Sequence, residues 1–263
     1  MSKLKDRIEG YISATDYKLL NKLPVIININ GRGFLKTTSL LEKPFCEKFS
    51  ECMLSTALRL CNDIDGAIFA YQHNDEITII SRNDQNMDTN PWFDNKIQKL
   101  CSVTASLATS HFYECYNKLN LSFLNDPLFT SQIFAVPTYS EAVNTILYKQ
   151  HSNFYTSVQY ACYYELMKKY EKNNIKEMIS GLSVDDKINL LFEECNINFN
   201  DYPKIFKRGA AIYKAPNVIN GNIKNKWIIN EDLPIFNKNQ AFISNILKNG
   251  LDIFGDIENE KVF

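Results

Sequence analysis

Three short stretches of this 263-residue chain carry residue types that could do chemistry together. The first is the acidic pair Asp75-Glu76, which follows the polar run Gln72-His73-Asn74. Phosphoryl transfer by two divalent ions needs carboxylates that hold both at ~3.5–4 Å, so that attacking and leaving oxygens are stabilised together. Mg²⁺ takes hard oxygen ligands, commonly one or two carboxylates plus substrate phosphates. The second stretch is Gly31-Arg32-Gly33-Phe34, at the end of an apolar run. A glycine-containing turn leaving a strand can aim backbone N–H groups at a triphosphate, and the Gly31 carbonyl offers a neutral metal ligand. The third is Lys96 and Lys99, two cations three positions apart. Each has a plainer reading when taken alone: an acidic hairpin turn, a tight strand-to-loop turn and a solvated helix face.

Other chemistries find less support. His73, His111 and His151 lack metal-site spacing, and no Ser/His/Asp or Cys/His arrangement stands out. The seven cysteines contain no CxxC pair and fall mostly at apolar helical positions, as buried, reduced thiols of a cytoplasmic protein would. A net charge of −1 and 45% hydrophobic residues exclude a disordered chain and a globally basic nucleic-acid binder. No apolar run approaches the ~20 residues of a membrane-spanning helix. The first seven residues, Met1 to Arg7, have no apolar core behind them, so no signal peptide is expected.

The elements that must position these groups read as follows. Leu23–Asn30 is a strand rich in β-branched residues. After Pro44, Phe45, Phe49, Cys52, Met53, Thr56, Ala57 and Leu60 recur at three- and four-residue steps, as in a helix. Gly66–Tyr71 and Ile77–Ile80 are strands joined by the polar stretch 72–76 as a hairpin. A second helix covers about Asp94 to Tyr116, and Gln132–Val136 is a fourth strand. The order β-α-β-β-α-β predicts an α+β, ferredoxin-like palm: a four-stranded antiparallel sheet with helices on one face. Such a sheet sets the exit of its first strand beside the tip of its central hairpin. The later part is mainly helical, with one helix around Ala142–Leu147, a longer one around Phe154–Leu166, and a capping box at Ser183–Asp186. The tail from Lys214, richer in Asn, Gly and Pro, is expected to wrap the surface. The expected division is a catalytic palm at 1–140 and a helical and tail region at 141–263 packed on it.

With those motifs in place, the chain resembles the tRNA-His guanylyltransferase family, in its guanylyltransferase-like, 3′-to-5′ polymerase branch. Asn30-Gly31-Arg32-Gly33-Phe34 resembles the family's DGRGFH, and Phe69 to Glu76 resembles FAYxQSDE. In the same order come Asp6-Arg7 with Tyr11, Lys96 with Lys99-Leu100, Tyr148-Lys149-Gln150 and Ser183 to Lys187. Asn198-Phe199-Asn200, Phe206 to Gly209, and Trp227 with Leu233 to Phe236 complete the set. The resemblance implies template-guided addition of nucleotides to the 5′ end of tRNA or a tRNA-like RNA, using ATP and GTP and two Mg²⁺ ions. It implies that Asp75 and Asn30 hold the metals with the Gly31 carbonyl, and that Glu76 supports them. It also implies nucleotide contacts from Gly31, Arg32, Gly33, Phe34, Asn74, Lys96 and Lys99, and RNA contacts from Lys149, Lys187, Lys207 and Arg208. Lys204 would join that basic surface. A homodimer or homotetramer is implied in the same way.

The departures from the family pattern carry their own expectations. Position 30 is Asn where the family has a metal-binding Asp, which removes a full negative charge from the metal site. The expected cost is at least ~10²-fold in rate. Leu35, Asn74, Gln132 and Ser152 replace family residues, and Phe154 falls where tRNA-His-specific members have a His. These changes favour a broader 5′-end repair or extension role. Two other readings remain open: a diverged homologue that binds nucleotide or RNA without turnover, and a cyclase that shares the palm and the acidic hairpin.

Overall fold

The computed structural model describes residues 2–86, 88–219 and 222–249. Six strands form one antiparallel sheet: β1 Val25–Gly31, β2 Ala67–His73, β3 Glu76–Ser81, β4 Phe129–Ala135, β5 Ala210–Ile219 and β6 Asn222–Asn230. Their spatial order is β4-β1-β3-β2-β5-β6. The first four strands in this order are the expected palm, and β1 sits at its centre between β3 and β4.

The sheet is wider than four strands, and it is covered on both faces. Along β1, Val25, Ile27 and Ile29 turn to one face, where they meet Cys52, Met53, Ala57 and Leu60 of α3 (Glu47–Asp63) and Leu100, Ala108 and Phe112 of α4 (Ile97–Lys118). Ile26 turns to the other face with Phe69, Tyr71 and Ile80, under Ala142, Val143 and Ile146 of α5 (Tyr139–Leu166). Alternation with period two therefore feeds two cores, which is why β1 and β3 read as continuous apolar runs rather than half-polar ones. The expectation of helices on one face holds for α3 and α4, with α5 forming a second layer.

The helical stretch expected as two helices, at 142–147 and 154–166, is one 28-residue helix, α5. Ser157 and Gln150, polar breaks in the apolar pattern, are buried in α5 and satisfied by other elements. The capping box at Ser183 forms as expected, starting α7 (Val184–Cys195). The tail does not simply wrap the surface. Ala210–Tyr213 of β5 pairs with β2, and the rest of β5 pairs only with β6 as a two-stranded ribbon. Pro216 falls in that ribbon, where no strand lies on its other side, so its missing N–H breaks no central ladder. The expected tail also takes in 220–221 and 250–263, which lie outside the described residues.

Candidate active site

The hairpin joining β2 to β3 is tighter than the sequence suggests. Only Asn74 and Asp75 form the turn, and Asn74 has φ 49°, a left-handed conformation that Asn tolerates. The Gln72 side-chain amide donates to the Asn74 carbonyl at 2.8 Å and stiffens the turn from beneath. The Gly31 N–H donates to the Asp75 carbonyl at 2.9 Å, and Asn30 is the register partner of Glu76. The exit of β1 and the tip of the acidic hairpin are thus stitched together, bringing Asn30, Gly31, Asp75 and Glu76 to one end of the sheet.

The glycine loop has two local requirements. A Cβ on Gly31 would lie 2.4 Å from the Phe34 ring, so the ring's inward turn demands glycine there. Gly33 has φ 65° and opens α2 (Phe34–Thr37). The Phe34 side chain is buried among Phe49, Phe112 and Phe129, so only its backbone is available to a ligand. The N–H groups of Gly31 and Arg32 are taken by Asp75 and Leu128. Among the described residues, those of Gly33, Phe34 and Leu35 have no backbone partner. The loop therefore offers three consecutive N–H groups beside the acidic tip.

Asp75 also lines a cleft of about 210 Å³. One wall is Phe45, stacked on Phe206 with 4.8 Å between ring centres. Tyr160 and Thr156 of α5 form another wall. Burial pushes the Asp75 carboxyl up to about 6, with the Glu76 charge adding to it; its own backbone N–H and the Lys43 charge oppose the shift. Lys43, in turn, is lowered by desolvation, and its ammonium donates to Tyr160 Oη at 2.9 Å and Thr38 Oγ1 at 3.2 Å. Neither Lys43 nor Tyr160 is marked by periodicity or motif spacing. The loop before α3 and the length of α5 bring them to the cleft.

His73 is not a turn residue. It is buried at the end of β2, with Nε2 2.9 Å from Ser157 Oγ of α5 and 3.3 Å from the Phe206 carbonyl. Burial lowers its pKa to about 4, so it is neutral at physiological pH. The hairpin is held against α5 by this contact and by an ion pair between Glu76 and Lys149.

The remaining site candidates lie elsewhere or are already engaged. Lys96 and Lys99 are at the opposite end of β1: Lys96 pairs with Asp16 at 2.7 Å, and neighbouring Asn95 donates to the Leu20 carbonyl. Lys99 lies over the Phe93 ring, 4.5 Å from its centre. Seven residues of strand, about 20 Å, separate them from Asp75. Lys207 is 9% exposed and donates to the Asn200 carbonyl. Arg208 donates to the Leu233 carbonyl at 3.0 Å, while its own carbonyl accepts from Tyr71 and Gln150. Lys149 is bound to Glu76, and Lys204 to Asp232. Of these cations Lys207 is buried, whereas Lys204 stays half exposed in its pair with Asp232.

The donor set suits a hard cation, without being a ready-made cage. Asp75 and Asn30 oxygens and the Gly31 carbonyl come to one end of the sheet, but no three His, Cys, Asp or Glu side chains cluster among the described residues. Phosphate oxygens would have to complete the coordination.

Comparison with known proteins places this geometry in a lineage. Residues 5–137 match the model of the tRNAHis guanylyltransferase family, and residues 148–243 match that family's C-terminal domain. A probable tRNA(His) guanylyltransferase of Dictyostelium discoideum is 26% identical over 75% of this chain and 78% of its own length. A solved bacterial tRNA(His) guanylyltransferase-like protein in complex with ATP superposes with a TM-score of 0.80 at 27% identity. That match covers 93% of this chain and 98% of the bacterial one. A bacterial tRNA(His) guanylyltransferase-like protein in complex with GTP gives 0.74 at 26% identity, over 93% and 99%. The palm, its acidic hairpin and the matches along both halves lead to one conclusion: the chain belongs to the tRNA(His) guanylyltransferase family.

Proposed function

We propose that this protein is a template-guided nucleotidyltransferase that extends the 5′ end of tRNA or a tRNA-like RNA in the 3′-to-5′ direction, at a rate limited by Asn30. The observation that carries the reading is the Gly31 N–H to Asp75 carbonyl bond, which joins the glycine loop to the acidic hairpin. The solved bacterial relatives, described as complexes with ATP and with GTP, support nucleoside triphosphates as substrates.

In this reading the cleft beside Asp75 receives a base between Phe45 and Tyr160, since about 210 Å³ suits a base better than a whole nucleotide. The unpaired N–H groups of Gly33, Phe34 and Leu35 face the triphosphate, with Asn74 and Arg32 beside them. A 5′-monophosphate on the RNA first attacks the α-phosphate of ATP and releases pyrophosphate. The 3′-hydroxyl of the incoming GTP then attacks the activated 5′-phosphate, AMP leaves, and the RNA ends in a new 5′-triphosphate. An RNA that already carries a 5′-triphosphate loses pyrophosphate instead. Asp75, the Asn30 amide oxygen and the Gly31 carbonyl would hold Mg²⁺, which would supply electrostatic stabilisation of the attacking and leaving oxygens. Base pairing with the opposite strand selects the nucleotide, so the protein needs shape and backbone contacts. Lys187 is the cation best placed for that backbone. Lys96 and Lys99 reach a triphosphate only on a neighbouring copy, so a dimer or tetramer is part of the proposal.

Two observations favour a second reading, a nucleotide- or RNA-binding homologue without turnover: Asn30 is uncharged and Glu76 is already paired with Lys149. Radiolabelled GTP with a 5′-truncated tRNA and ATP separates the two. Label incorporated into full-length RNA supports the transferase. Saturable GTP binding without incorporation supports the binder, and label in a small cyclic product from triphosphates alone contradicts both.

A further inference from the structure

The cross-strand partners Asn30 and Glu76 project from the same face of the sheet as Ile26 and Ile80, the face under α5. From α5, Lys149 reaches Glu76 and pairs with it; the two side chains are 16% and 19% exposed, so the pair is largely withdrawn from water. Outside the strand ladder, the hydrogen bond at Asn30 is accepted by its backbone carbonyl from Thr130, leaving the amide without a partner among the described residues. Asp75 accepts no hydrogen bond from another side chain among those residues.

The charges at this end of the sheet then count simply. Asp75 contributes one negative charge, partly offset by the Lys43 ammonium of the same cleft, Asn30 contributes none, and Glu76 and Lys149 cancel. Two divalent ions held at ~3.5–4 Å repel each other and need bridging carboxylates between them. One carboxylate, already facing the Lys43 charge, cannot bridge and neutralise two ions, and an amide oxygen binds one cation without offsetting its charge. Lys149, by engaging Glu76, withholds the second carboxylate that a further ion would need.

We infer that this chain takes a single divalent cation with its nucleotide, at Asp75, the Asn30 amide oxygen and the Gly31 carbonyl, and that Lys149 withholds Glu76 from a second ion. This rests on the nucleotide reading above. Lys149 is then a positioning residue: it holds Glu76 away from the cation.

The test is electron paramagnetic resonance of the full chain with Mn²⁺ and a non-hydrolysable GTP analogue, together with a count of bound Mn²⁺ per chain. The expected result is one Mn²⁺ per chain with the spectrum of an isolated ion. The double variant Asn30→Asp/Lys149→Met, checked for folding by thermal melting, should bind a second Mn²⁺ and give a spin-coupled spectrum. A spin-coupled pair in the unmodified chain overturns the inference. A single isolated ion in the folded double variant overturns the assignment to Asn30 and Lys149. If the Mn²⁺–nucleotide spectrum does not change when protein is added, the nucleotide reading itself falls, an outcome distinct from a miscounted ion.

Discussion

The hairpin end of the sheet and the segment around Lys207 contrast in how their polar groups are used. At the hairpin end, the Asn30 amide and three loop N–H groups have no protein partner among the described residues, and the Asp75 carboxylate accepts from no other side chain among them. Around residues 200–208 the positive charges are consumed: Lys207 by Asn200, Arg208 by Leu233 and Lys204 by Asp232. Charge alone is therefore a poor guide to a ligand site. A cluster of polar groups left open at one point is a better one, because a ligand can supply the missing bonds.

The contrast can be broken most severely at Asp75. Asp75→Asn should reduce nucleotide addition by at least ~10³-fold, about 4 kcal/mol of barrier, while leaving the melting temperature unchanged or slightly raised. Assays with labelled GTP beside thermal melts check both parts, and a joint loss of activity and folding would make Asp75 a structural residue.

The locked side of the hairpin gives the next effect. His73 is neutral when folded and titrates near 4, whereas an unfolded chain binds that proton near 6.5. The unfolded state thus takes up more protons between those values, so stability is highest above about 6.5 and is lost as pH falls toward 4. The full loss from this group is about 3 kcal/mol. Urea titrations of the metal-free protein from pH 7 to 4 should show that decline, and a His73→Gln variant should flatten it.

Asn30→Asp should raise the rate by ~10²-fold, about 2.7 kcal/mol, by restoring a charge to the cation site. Equal, robust addition by both proteins would show that the charge at 30 is immaterial. Smaller effects separate the two basic sets. Arg208→Ala should cost ~1–3 kcal/mol of stability, since it leaves the Leu233 carbonyl without its donor. Lys187→Ala should stay within ~0.5 kcal/mol of stability but lower the slope of log affinity for RNA against log salt by about 0.7–0.9.

What could be read in advance follows the same physics. The palm's first four strands and α3 and α4 were legible because their apolar residues repeat at two- or three-to-four-residue steps strong enough to outvote local composition. The acidic hairpin and glycine turn were legible as local chemistry, and the sheet order then forced them together. β5 and β6 were not. Their Asn-rich sequence and Pro216 disfavour strands, and β5 is fixed in the sheet only by the short match of Ala210–Tyr213 to β2. The second helical layer was foreshadowed by Ile26-Ile27 and Ile79-Ile80, adjacent apolar residues that must face opposite ways. The fates of Lys149, Lys207 and Arg208 depended on long-range partners, Glu76, Asn200 and Leu233, which no local pattern announces.

Crystals grown with Mn²⁺ and a non-hydrolysable GTP analogue, with anomalous scattering recorded at the manganese edge, would test the main claim most directly. The account predicts an anomalous peak within coordination distance of the Asp75 carboxylate and the Asn30 amide oxygen, with the triphosphate along Gly33–Leu35. A peak confined to another part of the molecule, or a nucleotide bound away from the hairpin tip, would contradict it.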